Sequence, residues 1–221
     1  VLLTGGRPER PAPAPAPAAV SRRLESVPLP PDTPLARILV VAATAHELAP
    51  AEGWRTLCCG VGPVDAAAGT AAALAVDAPL MVVHVGIAGA RRTSGLLPLD
   101  VVAGVETIYC DLGVPETFAP RRIVAPSALV DAACRAVPGA TRHVIGTSGR
   151  VGHSSNCHVE AMEGFAVLRA AALAGVPAIE VRVISNAIEE TDRAAWRFDE
   201  AFAAVRALTP RLVREIAACP R

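Results

Sequence analysis

Three places in the chain put polar groups where an open α/β sheet gathers its ligands, at the carboxyl ends of strands. The apolar run at 38–43 leads into Thr44-Ala45-His46-Glu47, the run at 80–85 into Gly86-Ile87-Ala88-Gly89, and the run at 178–184 into Ser185-Asn186. A fourth polar feature, Met162-Glu163, lies near the start of a helical stretch. A carboxylate can take a proton from water and stabilise positive charge that develops in a transition state. An amide offers both a donor and an acceptor. Arg182, flanked by Val181 and Val183, is expected to be buried and paired with a carboxylate. Taken singly, each residue also has a structural account. Glu47 and Glu163 could be charges at helix starts, Asn186 a turn residue, and Gly86 and Gly89 the marks of a tight turn. His46 could orient Glu47 or be a polar loop histidine, and His84, in an apolar strand, reads as a satisfied core residue.

The elements that must position these groups alternate. Strands are expected over 38–43, 54–59, 80–85, 100–109 and 178–184, with a short one near 144–145. Helices are expected over 64–76, 159–174 and 195–218, the last with Pro210 as a point where it could break. Gly60-Val61-Gly62-Pro63 joins the second strand to the first helix, with proline suited to a first helical turn. This order predicts an α/β fold, a three-layer α/β/α sandwich with a mixed, mostly parallel central sheet. Nine of the twenty prolines fall within residues 1 to 34. Residues 1–36 therefore read as a Pro/Ala-rich flexible arm, or as an upstream extension outside the native protein, and 37–221 as the catalytic domain.

Composition excludes several classes. Hydrophobic residues make up 52% of the 221-residue chain, yet no apolar run reaches the roughly 18 residues of a bilayer span. With 21 basic and 21 acidic residues the net charge is +0, which gives neither nucleic acid nor an anionic membrane a purchase. Six scattered cysteines without a C-x-x-C pair, and no visible secretory signal, predict reduced thiols in a cytoplasmic protein. The stretch from His153 to His158 lacks the second ligand cluster that a structural zinc would need, so no metal is expected.

The order of segments resembles the purine nucleoside phosphorylase and nucleosidase superfamily and, within it, the futalosine hydrolase family. The matching pieces are Ile38-Leu-Val-Val-Ala-Ala-Thr-Ala-His-Glu47, Gly60-Val-Gly-Pro-Val-Asp-Ala-Ala and Val83-His-Val-Gly-Ile-Ala-Gly89. Val159-Glu-Ala-Met-Glu-Gly-Phe165, Val181-Arg-Val-Ile-Ser-Asn186 and Asp192-Arg-Ala-Ala-Trp-Arg197 complete the set. The resemblance implies Glu47 as general base on the attacking water and Glu163 as the carboxylate that grips the ribose hydroxyls, with Met162 packed on the sugar. It implies Asn186 at the leaving purine, Gly86, Ile87, Ala88, Gly89 and Ser185 around the substrate, and Arg182 and His46 behind them. It also implies a small-molecule purine nucleoside as partner, no metal or organic cofactor, a homodimer, and a place in menaquinone biosynthesis.

The chemistry of the bond agrees with these residue types. N-glycosidic cleavage builds positive charge near C1′ and O4′, which a carboxylate stabilises. A 6-oxopurine such as hypoxanthine presents an acceptor at O6, which an amide can meet and an ionised carboxylate would repel. Asn186 thus favours hypoxanthine or guanine over adenine. A carboxylate at the nucleophile position would also repel a phosphate dianion, so hydrolysis is favoured over phosphorolysis even though Arg91 and Arg92 follow the glycine-rich segment. The alternatives are another purine nucleosidase or phosphorylase, of the inosine or methylthioadenosine/S-adenosylhomocysteine type, and a non-catalytic purine-binding protein on the same fold. The segment 149–160 is shorter than the family pattern and leaves the residue that stacks on the purine unassigned.

Overall fold

The computed structural model describes residues 34–152 and 155–219. The expected proline-rich arm, apart from its last residues, lies outside them, as does His153.

The first strand, β1 (Ile38–Ala42), is buried along its whole length. Its side chains alternate between two cores, because successive residues of a strand point to opposite faces. Ile38, Val40 and Ala42 enter one core, and Leu39 and Val41 the other. β1 pairs in parallel with β2 (Arg55–Cys58) and with β3 (Met81–Ala90). Between them runs α1 (Pro63–Val76), which starts with proline at its first turn after Gly62. Gly62 has φ +87°, a conformation that a side chain would strain.

The remaining elements are β4 (Val101–Tyr109), β5 (Arg122–Val124), α2 (Ser127–Ala136), β6 (Thr141–Thr147), β7 (Val159–Ala161), α3 (Gly164–Leu173), β8 (Ala178–Ala187) and α4 (Phe198–Ala217). β3 pairs with β8 in parallel and with β7 antiparallel, and β4 with β8 antiparallel. β4 also pairs with β6, and β6 with β7, both in parallel. These pairings close a ring, β3–β8–β4–β6–β7, with β1 and β2 extending it on one side and β5 on the other. Ala88, Ala90, Val102, Ile145, Val159, Ala161 and Ile184 cluster where the ring's strands meet. Helices α1 and α3 cover one face with Leu39, Val41 and Val82 beneath them, and α2 and α4 the other over Ile38, Val40 and Met81. The architecture is the expected α/β/α sandwich, and five of the eight strand pairings are parallel.

Several local expectations are corrected. Gly86-Ile87-Ala88-Gly89 is not a turn but the second half of β3, extended because β8 and β7 supply ladder partners there. Ser185 and Asn186 likewise lie within β8. The helix expected from 159 starts at Gly164, since Val159–Ala161 is taken up as a strand between β3 and β6. β6 is seven residues long rather than two, and α4 runs unbroken through Pro210. β5 and α2 were not anticipated. Among the described residues no helix is long and apolar enough to cross a membrane.

Candidate active site

β3 and β8 run side by side and deliver most of the site. His84 of β3 stands opposite Glu180 of β8, and Gly86 opposite Arg182. Both pairs sit at alternate positions and so share one face. A register shift falls between Ala88 and Gly89, which face Ile184 and Asn186, so Ser185 is an extra residue in β8. Such bulges bend a strand and re-aim its side chains, and they recur beside active sites. Here the bulge brings Asn186 against Gly89.

Arg182 is fully buried. Its Nε donates to Glu180 Oε1 at 2.7 Å and its Nη2 lies 3.6 Å from Glu163 Oε2. Nη2 also donates to His84 Nε2, while His84 Nδ1 donates to the Val41 carbonyl at 3.0 Å. Burial first, and the neighbouring guanidinium second, hold His84 well below the usual imidazole range, so it is neutral. Burial opposes the charge of Arg182, but Glu180, Glu163 and Glu47 together keep it above its ordinary value. The space for this guanidinium comes from Gly86. A Cβ there would stand 2.1 Å from Arg182 Nη1 and 2.8 Å from Glu47 Oε1.

Glu47 is 3% exposed. Its Oε2 accepts from the Thr44 amide at 2.9 Å and the Thr44 hydroxyl at 3.0 Å, and its Oε1 accepts from the Ile87 amide at 3.2 Å. Thr44 was not singled out in sequence. The Thr-x-x-Glu spacing of a capping box carried the signal, since that motif returns the glutamate to the threonine's own amide. His46 takes no part in holding Glu47; its ring stacks on Phe202 with centroids 5.9 Å apart.

Glu163 precedes α3 and is 5% exposed. Its Oε1 accepts from the Gly62 amide at 3.0 Å, at the mouth of α1. Burial pushes this carboxyl above its usual value, against the pull of Arg182 and the Gly62 amide and with help from Glu47 and Glu180. Asn186 donates from Nδ2 to the Ala187 carbonyl at 2.9 Å, and its Oδ1 lies 2.8 Å from the Ser185 hydroxyl. One N–H and one oxygen lone pair of the amide are thus left for a ligand.

A cavity of about 290 Å³ gathers these groups, near the lower end of the roughly 300–1,000 Å³ typical of small-molecule sites. Glu47, Ile87, Ala88, Gly89, Met162, Glu163, Ser185 and Asn186 all line it, whereas Gly86, Arg182 and His46 do not. Three aromatics, Trp196, Phe198 and Phe202, form part of the wall. Phe165 instead packs against Tyr109 beneath α3. Neither Arg91 nor Arg92 lines the cavity. The former pairs with Glu160 at 3.0 Å and holds the Ser155 and Cys157 carbonyls, and the latter lies 3.6 Å from Glu190.

The chain belongs to the phosphorylase superfamily, whose family model matches residues 55–218. Within that class it is 38% identical to the futalosine hydrolase of Streptomyces coelicolor over 187 residues, covering 73% of this chain and 78% of that protein. Solved structures share the fold. The 5′-methylthioadenosine/S-adenosylhomocysteine nucleosidase of Colwellia psychrerythraea 34H, in complex with adenine, superposes with a TM-score of 0.72 at 18% identity, over 81% of this chain and 95% of that one. The futalosine hydrolase of Helicobacter pylori gives 0.70 at 15% identity, over 80% and 97%.

Proposed function

We propose that this chain hydrolyses the N-glycosidic bond of futalosine, releasing hypoxanthine and dehypoxanthine futalosine in menaquinone biosynthesis. The observation that carries the mechanism is the setting of Glu47, a buried carboxylate held by three hydrogen bonds at the cavity wall. One of those bonds comes from Ile87, two residues from Gly89, where Asn186 sits. Two residues along a strand are about 6–7 Å, comparable to the span from an anomeric carbon to the far edge of a purine.

Glu47 Oε1 keeps one lone pair beyond its bond to the Ile87 amide, and with it takes a proton from the attacking water. Glu163 accepts from the ribose hydroxyls. With Glu47 it places two carboxylates near the charge that develops at C1′ and O4′, in a pocket where a low dielectric strengthens their effect. Asn186 gives its free N–H to the purine as the bond breaks, so that hypoxanthine need not leave as a naked anion. Arg182 limits the repulsion between the two carboxylates without entering the cavity. No step in this sequence calls on a metal or an organic cofactor.

The same reading puts the enzyme in the cytoplasm as a homodimer. Val61 and Val151, cavity-lining residues 56% and 52% exposed, would be covered by the neighbour, and sedimentation velocity would show the dimer. The function is tested by hypoxanthine or adenine release from futalosine, inosine and methylthioadenosine, each with and without phosphate. Release from futalosine that ignores phosphate is the expected result. A requirement for phosphate would move the chain to the phosphorylases, and preference for either other nucleoside would reassign its substrate.

A further inference from the structure

Two thiols meet beside β6, outside the machinery described so far. A Cβ at Gly146 would lie 3.0 Å from Cys110 Sγ, 3.0 Å from Ser155 Oγ and 3.1 Å from Cys157 Cβ, so these three side chains crowd the space that glycine leaves. The Cys110 thiol donates to the Ile108 carbonyl at 3.5 Å, and the Ser155 hydroxyl accepts from the Cys157 amide at 3.1 Å and donates to Glu160 Oε1 at 2.6 Å. Both cysteines are half-buried, within reach of a small reagent. Their proton affinities are split. The hydrogen bond from Cys110 pulls Cys157 down to about 7 despite its burial, with Ser155 and Arg122 assisting and Glu160 opposing. The same bond, with burial, pushes Cys110 up. Cys59, by contrast, is raised to about 12 by burial.

We propose that Cys110 and Cys157 form a redox-active dithiol that closes to an intramolecular disulfide and fixes residues 155–160 beside the end of β4. With a peroxide as oxidant, the Cys157 thiolate attacks one peroxide oxygen and the O–O bond breaks. The hydroxide that leaves takes up the proton Cys157 had lost, giving a first water and a sulfenic acid. The Cys110 sulfur then attacks the sulfenic sulfur. The S–O bond breaks, and the departing hydroxide takes the Cys110 proton as a second water. Two thiols are oxidised by two electrons, and one peroxide is reduced to two waters.

The position gives this bond a consequence. Segment 148–160, described at 148–152 and 155–160, contributes Arg150, Val151, Gly152 and Glu160 to the cavity wall and leads directly to Met162 and Glu163. Its front is already tied to Asp111, whose carboxylate accepts from the Ser148 hydroxyl at 2.8 Å and the Gly149 amide at 2.6 Å. Cys110 is the neighbour of Asp111, so a disulfide would tie the back of the segment to the same place. A cross-link of this kind removes local opening of the cavity wall beside Glu160, Met162 and Glu163, and nucleoside hydrolysis slows with it.

The test uses the full chain, reduced, freed of reductant and exposed to hydrogen peroxide, with peptides mapped without reduction. The expected product is a Cys110–Cys157 linked peptide that dithiothreitol reverses, with nucleoside hydrolysis lowered severalfold and restored in parallel. C157S should keep its activity under peroxide. C110S, which keeps a hydrogen-bond donor beside Cys157 but not the resolving thiol, should instead hold a sulfenic acid at Cys157 that dimedone traps. Linkage only through other cysteines, dimedone labelling no greater at Cys157 than at Cys58 in C110S, or loss of activity in C157S in step with wild type would each overturn the proposal. The linkage and trapping readouts do not depend on which nucleoside is the substrate.

Discussion

At Glu47 the two carboxylate oxygens do different work. Oε2 is taken up by the amide and hydroxyl of Thr44, and Oε1 meets the Ile87 amide alone. A hydrogen bond to a charged group contributes about 1.5–3 kcal/mol. Thr44→Val, which removes only the hydroxyl, should therefore lower kcat roughly 10–100-fold with little change in KM, read from initial rates. In the proposed mechanism Asn186 selects the leaving base. Asn186→Asp puts an ionised carboxylate against O6, and hypoxanthine release should fall by on the order of 10–100-fold. Adenine nucleosides, whose exocyclic amine donates at that place, should gain relative to hypoxanthine ones in side-by-side kcat/KM measurements. An unchanged preference would remove Asn186 from base recognition. The candidate residues were legible as residues because they follow apolar runs in a fixed order. The groups that hold them were not, since the Thr44 hydroxyl and the amides of Gly62 and Ile87 take their partners from geometry, and a backbone N–H has no signature in sequence.

Among the elements, β3 shows why glycine misled a sequence reading. Gly86 and Gly89 resemble a turn in sequence, but their task is space. Gly86 makes way for the Arg182 guanidinium and the Glu47 carboxylate, and Gly89 faces Asn186. Gly86→Ala should force both charged groups aside. The expected cost is about 1–3 kcal/mol of stability, as for other overpacked cores, together with a loss of activity larger than that destabilisation accounts for. Chemical denaturation and kinetics on one preparation would separate the two effects. The long apolar strands were legible because a run such as Ile38–Ala42, rich in β-branched residues, suits a strand covered on both faces. α1 was legible because a stretch of alanines follows its proline start. α2 was missed although Leu129, Val130, Ala133 and Ala136 follow a helical spacing after Pro126. β5 and β7 are three residues each, too short for a period to declare itself, and they exist because the ring of strands has open ladder positions beside them.

On the scale of the whole molecule, burying Glu47, Glu163 and Glu180 around Arg182 and a neutral His84 couples stability to pH. Glu163 is raised in the folded state, so the fold favours its neutral form. Its contribution to stability is fully present below the unfolded carboxyl value and is lost as pH rises through the folded one. Glu163→Gln should therefore melt higher than wild type at neutral pH, with the difference closing in acid, while hydrolysis is largely lost. The wild-type acid limb of activity should lie above the ordinary carboxylate range, because the proposed mechanism needs Glu163 ionised to accept from the ribose. His84 works in the opposite direction. Its value is lowered in the fold, so its contribution is present above about 6.5 and is lost as pH falls below it. In the proposed mechanism water, activated by Glu47, is the nucleophile at the anomeric carbon. Turnover of futalosine in oxygen-18 water, comparing wild type with Glu47→Gln, reads this out. One labelled oxygen in the released sugar product is expected, with a rate about 10²–10⁴-fold lower in the variant. An unlabelled or phosphorylated sugar, or a variant as fast as wild type, would contradict it.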